Sequence, residues 1–408
     1  MEGFFTRKEV ESLTRPDGKL HTCVSCGLHK NVLTPKMAPY GKFKKGIMIL
    51  GEAPGEIEDR VGLPWQGKTG KLLNKTLQEI GINLFEDCVS INACHCHPTD
   101  EKGQNRAPTN IEVDSCRKTT IQYIKHYKPK VILVLGASAL YSLLGYRWKK
   151  DLSGIFKWRG FTIPDQDFQT WLAPTFHPSY VERDESGVEK VIWKQDLKNA
   201  ILLLNKPFPV FEQPEIKIIQ DISVLNAITE PFVSFDFETT GIKPHASGHK
   251  IVSCAVATSD NFVYAFLLPQ SRKEREPLIN LLRSETMGKI AHNMKYEYNW
   301  AKIRLRTTIK NLVWDTMLAS HLLDNRTGIT SLKFQAYVIF GVIDYSSELN
   351  PYLHAKEEGS NSINEIDKLI ATTSGIKMLL KYNAMDAIFT YRLAKQQRSL
   401  FQEHDLPF

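Results

Sequence analysis

Ser234-Phe235-Asp236-Phe237-Glu238-Thr239-Thr240-Gly241 is the stretch on which the reading of this chain turns. With the residues before it, the run Phe232-Val233-Ser234-Phe235 has the apolar character of a buried strand. Side chains alternate between the faces of a strand, so Asp236 and Glu238, two apart, point the same way. Adjacent carboxylates repel each other, and the pair becomes tolerable when cations sit between them. Hard oxygen donors of this kind suit Mg or Mn. A strand that merely ends in a Thr-Thr-Gly turn accounts for the turn and not for the doubled acid.

Two later segments complete such a site. Ala291-His292-Asn293-Met294-Lys295-Tyr296-Glu297 leads into a helical pattern and brings a third carboxylate, Glu297. Tyr382-Asn383-Ala384-Met385-Asp386 has apolar residues at helical spacing, so Tyr382 and Asp386 share one face. Hydrolysis of a phosphodiester at a two-metal site uses this set: carboxylates hold two cations, and one donor orients the attacking water. Asp315 opens a further helical run and reads as an N-cap or first-turn acid, outside the metal shell.

Three blocks, FDFETTG at 235–241, HNMKYE with WDTMLASHLLD at 292–324, and YNAMD at 382–386, follow in an order that resembles the 3'→5' proofreading exonuclease of family A DNA polymerases. That is the Tyr-containing variant of the DEDD superfamily. The resemblance implies a ribonuclease H-like mixed sheet and metal ligation by Asp236, Glu238 and Asp386. It also implies that Glu297 holds the second of two Mg or Mn ions, directly or through water, and that Tyr382 positions the nucleophilic water. The substrate would be DNA, as a single-stranded 3' end or a primer-template. The family pattern has Asp where this chain has Glu297, which keeps the charge and lengthens the arm.

A chain of 408 residues with 42% hydrophobic and 24% charged residues has room for two or three globular domains. No apolar run approaches a membrane span and the first residues are not a signal peptide, so a cytoplasmic protein is expected, in a bacterial host if phage-encoded. The net charge of +7, with clusters at Lys42–Lys45, Lys68–Lys75 and Arg147–Lys150, agrees with a nucleic-acid partner without requiring one.

Six of the seven cysteines lie within the first 116 residues. In a cytoplasmic chain that argues against disulfides and for metal or chance. Cys23-Val24-Ser25-Cys26 has metal-type spacing, with Cys94, Cys96 and Cys116 following at long range. Spacing alone leaves zinc and an iron–sulfur cluster both open.

Ile47-Met48-Ile49-Leu50-Gly51 is a short strand running into Gly51-Glu52-Ala53-Pro54-Gly55-Glu56-Ile57-Glu58-Asp59, the kind of strand end where α/β folds build sites. Gly62 to Thr69 meets the spacing of a phosphate loop, G-x-x-x-x-G-K-[ST]. Its context is wrong, however, because polar Asp59-Arg60-Val61 precedes it in place of a strand and Pro64-Trp65 is bulky. Trp65 reads better as a stacking face for a base. Cys88–Asn92 and Val131–Leu135 are further strands, and the amide of Asn92 can pair with a base edge. His177, before Pro178, falls at another strand end. Alternation of strands and helices over 45–205 predicts a doubly wound parallel sheet.

The residues Cys23-x-x-Cys26, GEAPGEIED at 51–59, Gly62-x-Pro64-Trp65-x-Gly67, Asn92, Cys96, Asn105-Arg106, Cys116 and His177-Pro178 together resemble family 4 of the uracil-DNA glycosylase superfamily. The resemblance implies a 4Fe-4S cluster on Cys23, Cys26, Cys96 and Cys116, with Cys88 and Cys94 as extras. It implies that Asn92 recognises a flipped uracil, that Trp65 stacks on it, and that His177 stabilises charge developing on the uracil oxygen. Glu52, Glu58 and Asn105 fall on positions tied to catalysis in that family. Trp65 replaces the usual Phe and narrows the pocket, and Thr99–Gln104 lengthens the loop before Asn105.

Pro207, Pro209 and Pro214 mark a linker. The expected organisation is therefore α/β throughout: a glycosylase-like domain at 1–205, a linker at 206–214 and an exonuclease domain at 215–408. Ile216–Pro231 reads as the first strand and helix of the latter. No polymerase palm or fingers sequence follows Asp386. The arrangement resembles the front part of a bacteriophage DNA polymerase and implies a separate polymerase polypeptide or a stand-alone nuclease. Uracil excision, a non-catalytic assembly subunit, and RNA as substrate are the competing expectations.

Overall fold

Ile47–Gly51 is buried at every position and forms β1, the strand around which the first sheet is built. The computed structural model describes residues 26–148, 151–343, 345–346, 348–355, 359 and 361–403. In it β2 (Cys88–Asn92) and β3 (Val131–Leu135) flank β1 in parallel register, and β5 (Thr170–Thr175) continues the sheet beyond β3. A short edge strand β4 (Ile163–Asp165) pairs with β5 antiparallel, giving the order β2-β1-β3-β5-β4. The sheet is therefore parallel except at this edge, where Pro164, lacking an N–H, is tolerated. Ile47, Ile49, Val131 and Leu133 pack with Leu73 and Leu77 of helix Lys68–Gln78 and with Trp193 and Leu197 of helix Val188–Leu202. The alternate residues Met48, Leu50, Ile132 and Val134 are equally buried, so both faces of the sheet are covered, as a doubly wound fold requires.

The second sheet is mixed and has six strands. Its centre is β7 (Phe232–Thr239), antiparallel to β8 (Ile251–Ala257), which is antiparallel to β9 (Phe262–Leu267). On the other side β10 (Gly288–Ala291) and β11 (Leu312–Asp315) run parallel to β7. The meander with two parallel strands beside it is the expected ribonuclease H-like arrangement, with β6 (Glu215–Ile218) added parallel to β9. The expected helix after β6 is a 3-10 segment, Ile222–Ala227, opened by Asp221, whose side chain accepts from the Ser223 N–H. The 31-residue helix Thr373–Glu403 lies across this sheet, where Ala255, Ala257 and Ala265 let Leu380, Ala384 and Ile388 approach closely. The Ser234 hydroxyl donates to the Ala387 carbonyl at 2.6 Å, fixing that helix over β7.

The chain divides into two compact units, Met1–Phe211 with Tyr337–Asp344, and Glu212–Ala336 with Tyr345–Phe408. Tyr337 joins the first unit because its hydroxyl donates to Asp165 at 2.7 Å, beside the buried pair that Arg147 makes with the same carboxylate at 2.7 Å. Among the described residues no helix is long and apolar enough to cross a membrane.

Candidate active sites

In the second unit, β7 delivers Asp236 and Glu238 to one face, and the helix Thr373–Glu403 brings Asp386 against them. One carboxylate oxygen from each of the three lies within 4.8 Å of the others. Glu297, on the helix Met294–Trp300, is 3% exposed and electrostatically coupled to Asp236 and Glu238; its Oε2 has no hydrogen-bond partner. Tyr382 is one helical turn from Asp386 and buried beside it. All five residues singled out from the sequence thus meet at one place, with Glu297 just outside the tightest group.

Burial, reinforced by the neighbouring acids, pushes Asp236, Glu238 and Glu297 well above the ordinary carboxylate range. Asp386 contributes to the rise at each of them. Without cations such a cluster retains protons, and cations would replace them. Burial likewise raises Tyr382, so its phenol stays protonated and able to donate. An unpartnered buried carboxylate oxygen and a set of all-oxygen donors fit hard divalent cations.

Sequence reading missed three neighbours. Asn383, inside the YNAMD block, donates through Nδ2 to Asp236 Oδ2 at 2.7 Å and accepts from the Ser253 hydroxyl at 2.9 Å, so β8 and the long helix orient the β7 acid. The Tyr345 hydroxyl donates to Asp386, and its ring stacks on Tyr382 with centroids 5.9 Å apart. Lys333 holds its ammonium 4.9 Å from the centre of the Tyr382 ring. The only sequence signal was for Asn383, whose position places it one residue from the Tyr382 face. Asp315 is a helix cap, as read: it accepts from Met317 N–H at 2.9 Å and Leu318 N–H at 3.3 Å. It also accepts from Met294 N–H at 2.8 Å, at the start of the helix that carries Glu297.

In the first unit, the C-terminal ends of β1, β2 and β5 converge. Gly51 pairs in register with Asn92, and His177 follows β5. A Cβ on Gly51 would lie 2.5 Å from Asn92 Oδ1 and 2.8 Å from Trp65 Cζ2, so glycine is required for this approach. Trp65 has a positive φ of 60°, is 9% exposed, and leaves its indole N–H without a partner. Its ring centre lies 5.8 Å from that of His177. Gly136, at φ 88°, gives His177 room, since a Cβ there would meet the His177 Cβ at 2.9 Å.

His177 is also the N-cap of helix Pro178–Glu182. Its Nδ1 accepts from the Ser179 N–H at 3.3 Å, which leaves the proton of the neutral ring on Nε2. Burial, with Arg183 nearby, lowers this histidine to about 4, so it is neutral at pH 7. The folded state therefore resists a proton that the unfolded chain accepts near pH 6.5, and stability attributable to His177 is lost as pH falls from about 6.5 toward 4. The full effect is roughly 3 kcal/mol. His177→Asn retains a good N-cap and removes the titration. It is expected to flatten the fall in urea midpoint between pH 6.5 and 4.5 relative to the parent protein.

The remaining glycosylase-type positions separate. The Glu58 carboxylate is occupied by backbone: Gln66 N–H and Gly67 N–H both donate to it at 2.8 Å, and Gly55 N–H at 3.2 Å. It organises the loop that carries Trp65. The same contacts dispose of the phosphate-loop pattern, because the amides opening helix Lys68–Gln78 already hold an anion and a helix, Glu56–Val61, precedes Gly62. Glu52, directly after β1, accepts from the Ser138 hydroxyl at 2.9 Å. Asn105 is exposed and bonded to the His97 ring, closing the Thr99–Asn105 loop through an isolated bridge.

Cys23 lies outside the described residues. Cys96 Sγ accepts from Lys36 N–H at 3.3 Å and Cys116 Sγ accepts from His95 N–H at 3.4 Å. The Cys94 thiol bonds to Cys116, and this with the His95 amide holds Cys116 below the usual thiol range. Backbone N–H donors aimed at sulfur suit thiolates that bind a cluster or metal. Cys88 is a core residue at the start of β2.

Residues 38–201 match the uracil DNA glycosylase superfamily, and residues 216–400 match the 3'-5' exonuclease of the DNA polymerase A type. A type-4 uracil-DNA glycosylase of Thermotoga maritima is 34% identical over 207 residues, covering 50% of this chain and 98% of that protein. A DNA polymerase of Bacillus phage SP01 is 27% identical over 332 residues, covering 71% of this chain and 34% of the polymerase. Among solved structures, Brucella melitensis NrnC aligns over 47% of this chain and 83% of its own, at 17% identity and a TM-score of 0.35. Through its first half the chain belongs to the type-4 uracil-DNA glycosylase family, and behind that half it carries a family A polymerase-type 3'-5' exonuclease domain.

Proposed function

We propose that this protein is a metal-dependent 3'→5' DNA exonuclease that trims single-stranded 3' ends, proofreading in the cytoplasm for a DNA polymerase. The observation that carries the reading is the convergence of Asp236, Glu238 and Asp386 within 4.8 Å, with Glu297 and Tyr382 beside them. Asp236, Glu238 and Asp386 would hold divalent cations, and Glu297 would complete the second site. Two Mg or Mn ions, when bound, supply Lewis acidity to the scissile phosphate and favour ionisation of the attacking water. Asn383 fixes the Asp236 carboxylate, Tyr345 fixes that of Asp386, and the protonated Tyr382 phenol orients the water. The working division is a glycosylase-like domain to 205, a linker at 206–214, and the exonuclease from 215. The test is a 3'-labelled single strand with one internal uracil, incubated with Mg or with EDTA and then treated with alkali. Laddering from the 3' end that EDTA abolishes supports the exonuclease; an intact strand with folded protein overturns it.

A second reading, uracil excision by the first unit, draws support from the neutral His177 with its proton on Nε2. That is the form able to donate to a developing oxyanion. Asn92 would read the base edge, Trp65 would stack on it, and Glu52 is the better placed of the two glutamates to act on water, since Glu58 is committed to the loop. Cys23, Cys26, Cys96 and Cys116 would hold a 4Fe-4S cluster that staples this unit. Trp65 narrows the base site against Gly51 and Asn92. Trp65→Phe is therefore expected to raise alkali-labile breaks at uracil in EDTA by roughly tenfold or more. No rise would mean that Trp65 does not limit the pocket.

A further inference from the structure

Lys333 is placed where its own helix disfavours it. It is the second residue of helix Leu332–Phe340, and the positive end of a helix dipole favours acids in the first turn. Its flanking residues, Leu332 and Phe334, are buried, so the stem is led inward while the ammonium reaches the Tyr382 ring. Among the described residues no carboxylate forms an ion pair with it.

The charge balance of the site suggests what the ammonium is for. Asp236, Glu238, Glu297 and Asp386 and two divalent cations cancel in formal charge. A phosphodiester then adds one negative charge, and more develops as water attacks. An ammonium beside the phenol supplies the missing positive charge without occupying a metal position. We propose that Lys333 is a further substrate-contacting residue of the exonuclease site, its ammonium paired with a nonbridging oxygen of the 3'-terminal phosphodiester. The assignment rests on the exonuclease reading above and adds to it a group that recognises the substrate's charge.

The test uses the full chain carrying Lys333→Met, which keeps the apolar stem, and Lys333→Arg, which keeps the charge. The probes are two oligodeoxynucleotides that differ only in the terminal linkage, a phosphodiester or an uncharged methylphosphonate. Binding is measured by anisotropy with Ca replacing Mg, after checking that no cleavage occurs during the titration. The parent protein is expected to prefer the charged linkage by about tenfold, and Lys333→Met to lose that preference. Single-turnover shortening in Mg should fall by roughly 10²–10³ in Lys333→Met and recover in part in Lys333→Arg. Mn binding should stay within about twofold of the parent value, since Lys333 holds no metal.

An unchanged rate with retained linkage preference in Lys333→Met overturns the assignment, and so does a change confined to Mn affinity. If the parent protein neither shortens the strand nor binds Mn, the exonuclease reading itself fails, and Lys333 with it. Shortening by the parent with an equally active Lys333→Met would leave that reading intact and remove Lys333 alone.

Discussion

Asp236→Asn is expected to abolish EDTA-sensitive shortening of a 3'-labelled strand while raising the melting temperature of the metal-free protein. The loss of activity should reach at least ~10³-fold, because a ligand shared with the cations is worth several kcal/mol in the transition state. The gain in stability has a separate origin. Burial and the Asp386 carboxylate push Asp236 well above its ordinary range, so the folded state binds a proton that the unfolded chain releases near pH 4. Stability therefore declines as pH rises from about 4 toward the elevated value, and the penalty persists above it. Asparagine removes that titration and can still accept from Asn383 Nδ2, now 2.7 Å from Asp236 Oδ2. The stabilisation should accordingly be larger at pH 8 than at pH 5 by differential scanning fluorimetry in EDTA, and Mg should erase it by stabilising the parent. Asp315→Ala supplies the contrast. It strips acceptors from four backbone amides at two helix starts, and should lower the melting temperature at both pH values while leaving Mn affinity largely intact. An Asp236→Asn protein that still ladders DNA in Mg would remove the acid cluster from the chemistry.

How far the sequence could be read depended on the range of the interaction. Asp236 and Glu238 share a face because strands repeat every two residues, and Tyr382 and Asp386 share one because helices repeat every 3.6; both are local rules. Asp315 was legible as a cap for the same reason. The parallel core of the first sheet was legible because β1 and β3 are continuous apolar runs, whereas the three-residue β4 is too short to carry a pattern. Tyr345 and Lys333 reach Tyr382 only through the tertiary fold, from segments whose local sequence is ordinary. Glu58 shows the same limit from the other side. Three backbone amides hold its carboxylate, and backbone partners leave no trace in a residue pattern. The contact of the Asn105 side chain with His97 is likewise invisible in the local pattern.

Cys116→Ser is expected to bleach the purified protein and destabilise its first unit, whereas Cys94→Ser should do neither. Both cysteines are buried and adjacent, so burial cannot tell them apart. The place of the thiol proton does. Cys116 Sγ receives the His95 N–H and the Cys94 S–H, and Cys96 Sγ receives the Lys36 N–H, whereas Cys94 gives its one proton to Cys116 and, despite the Cys96 amide beside it, is held well above the usual thiol range. A sulfur that collects N–H donors is prepared to carry negative charge, and one that donates is a protonated thiol. Cys116 also sits on a helix whose start is firmly held: Thr109 caps it and Arg106 pairs with Glu112 at 2.6 Å. The ligand position is therefore defined before any cluster binds. With Cys23, Cys26 and Cys96 it would close long loops between the N-terminal segment, the residues after β2, and this helix. That removes chain entropy from the unfolded state and couples cluster binding to folding. Loss of one ligand should thus cost several kcal/mol, a fall of about 10 °C in the first unit's transition. Metal analysis separates the alternatives: about four iron atoms per chain with visible absorbance support the cluster, and one zinc without colour replaces it. Mn binding at the acid site should survive Cys116→Ser, because each cysteine proposed for the cluster belongs to the first unit and each acid proposed for the metals to the second. A Cys94→Ser protein that loses its iron would transfer the ligand role from Cys96 to Cys94 and invert the meaning of these hydrogen bonds.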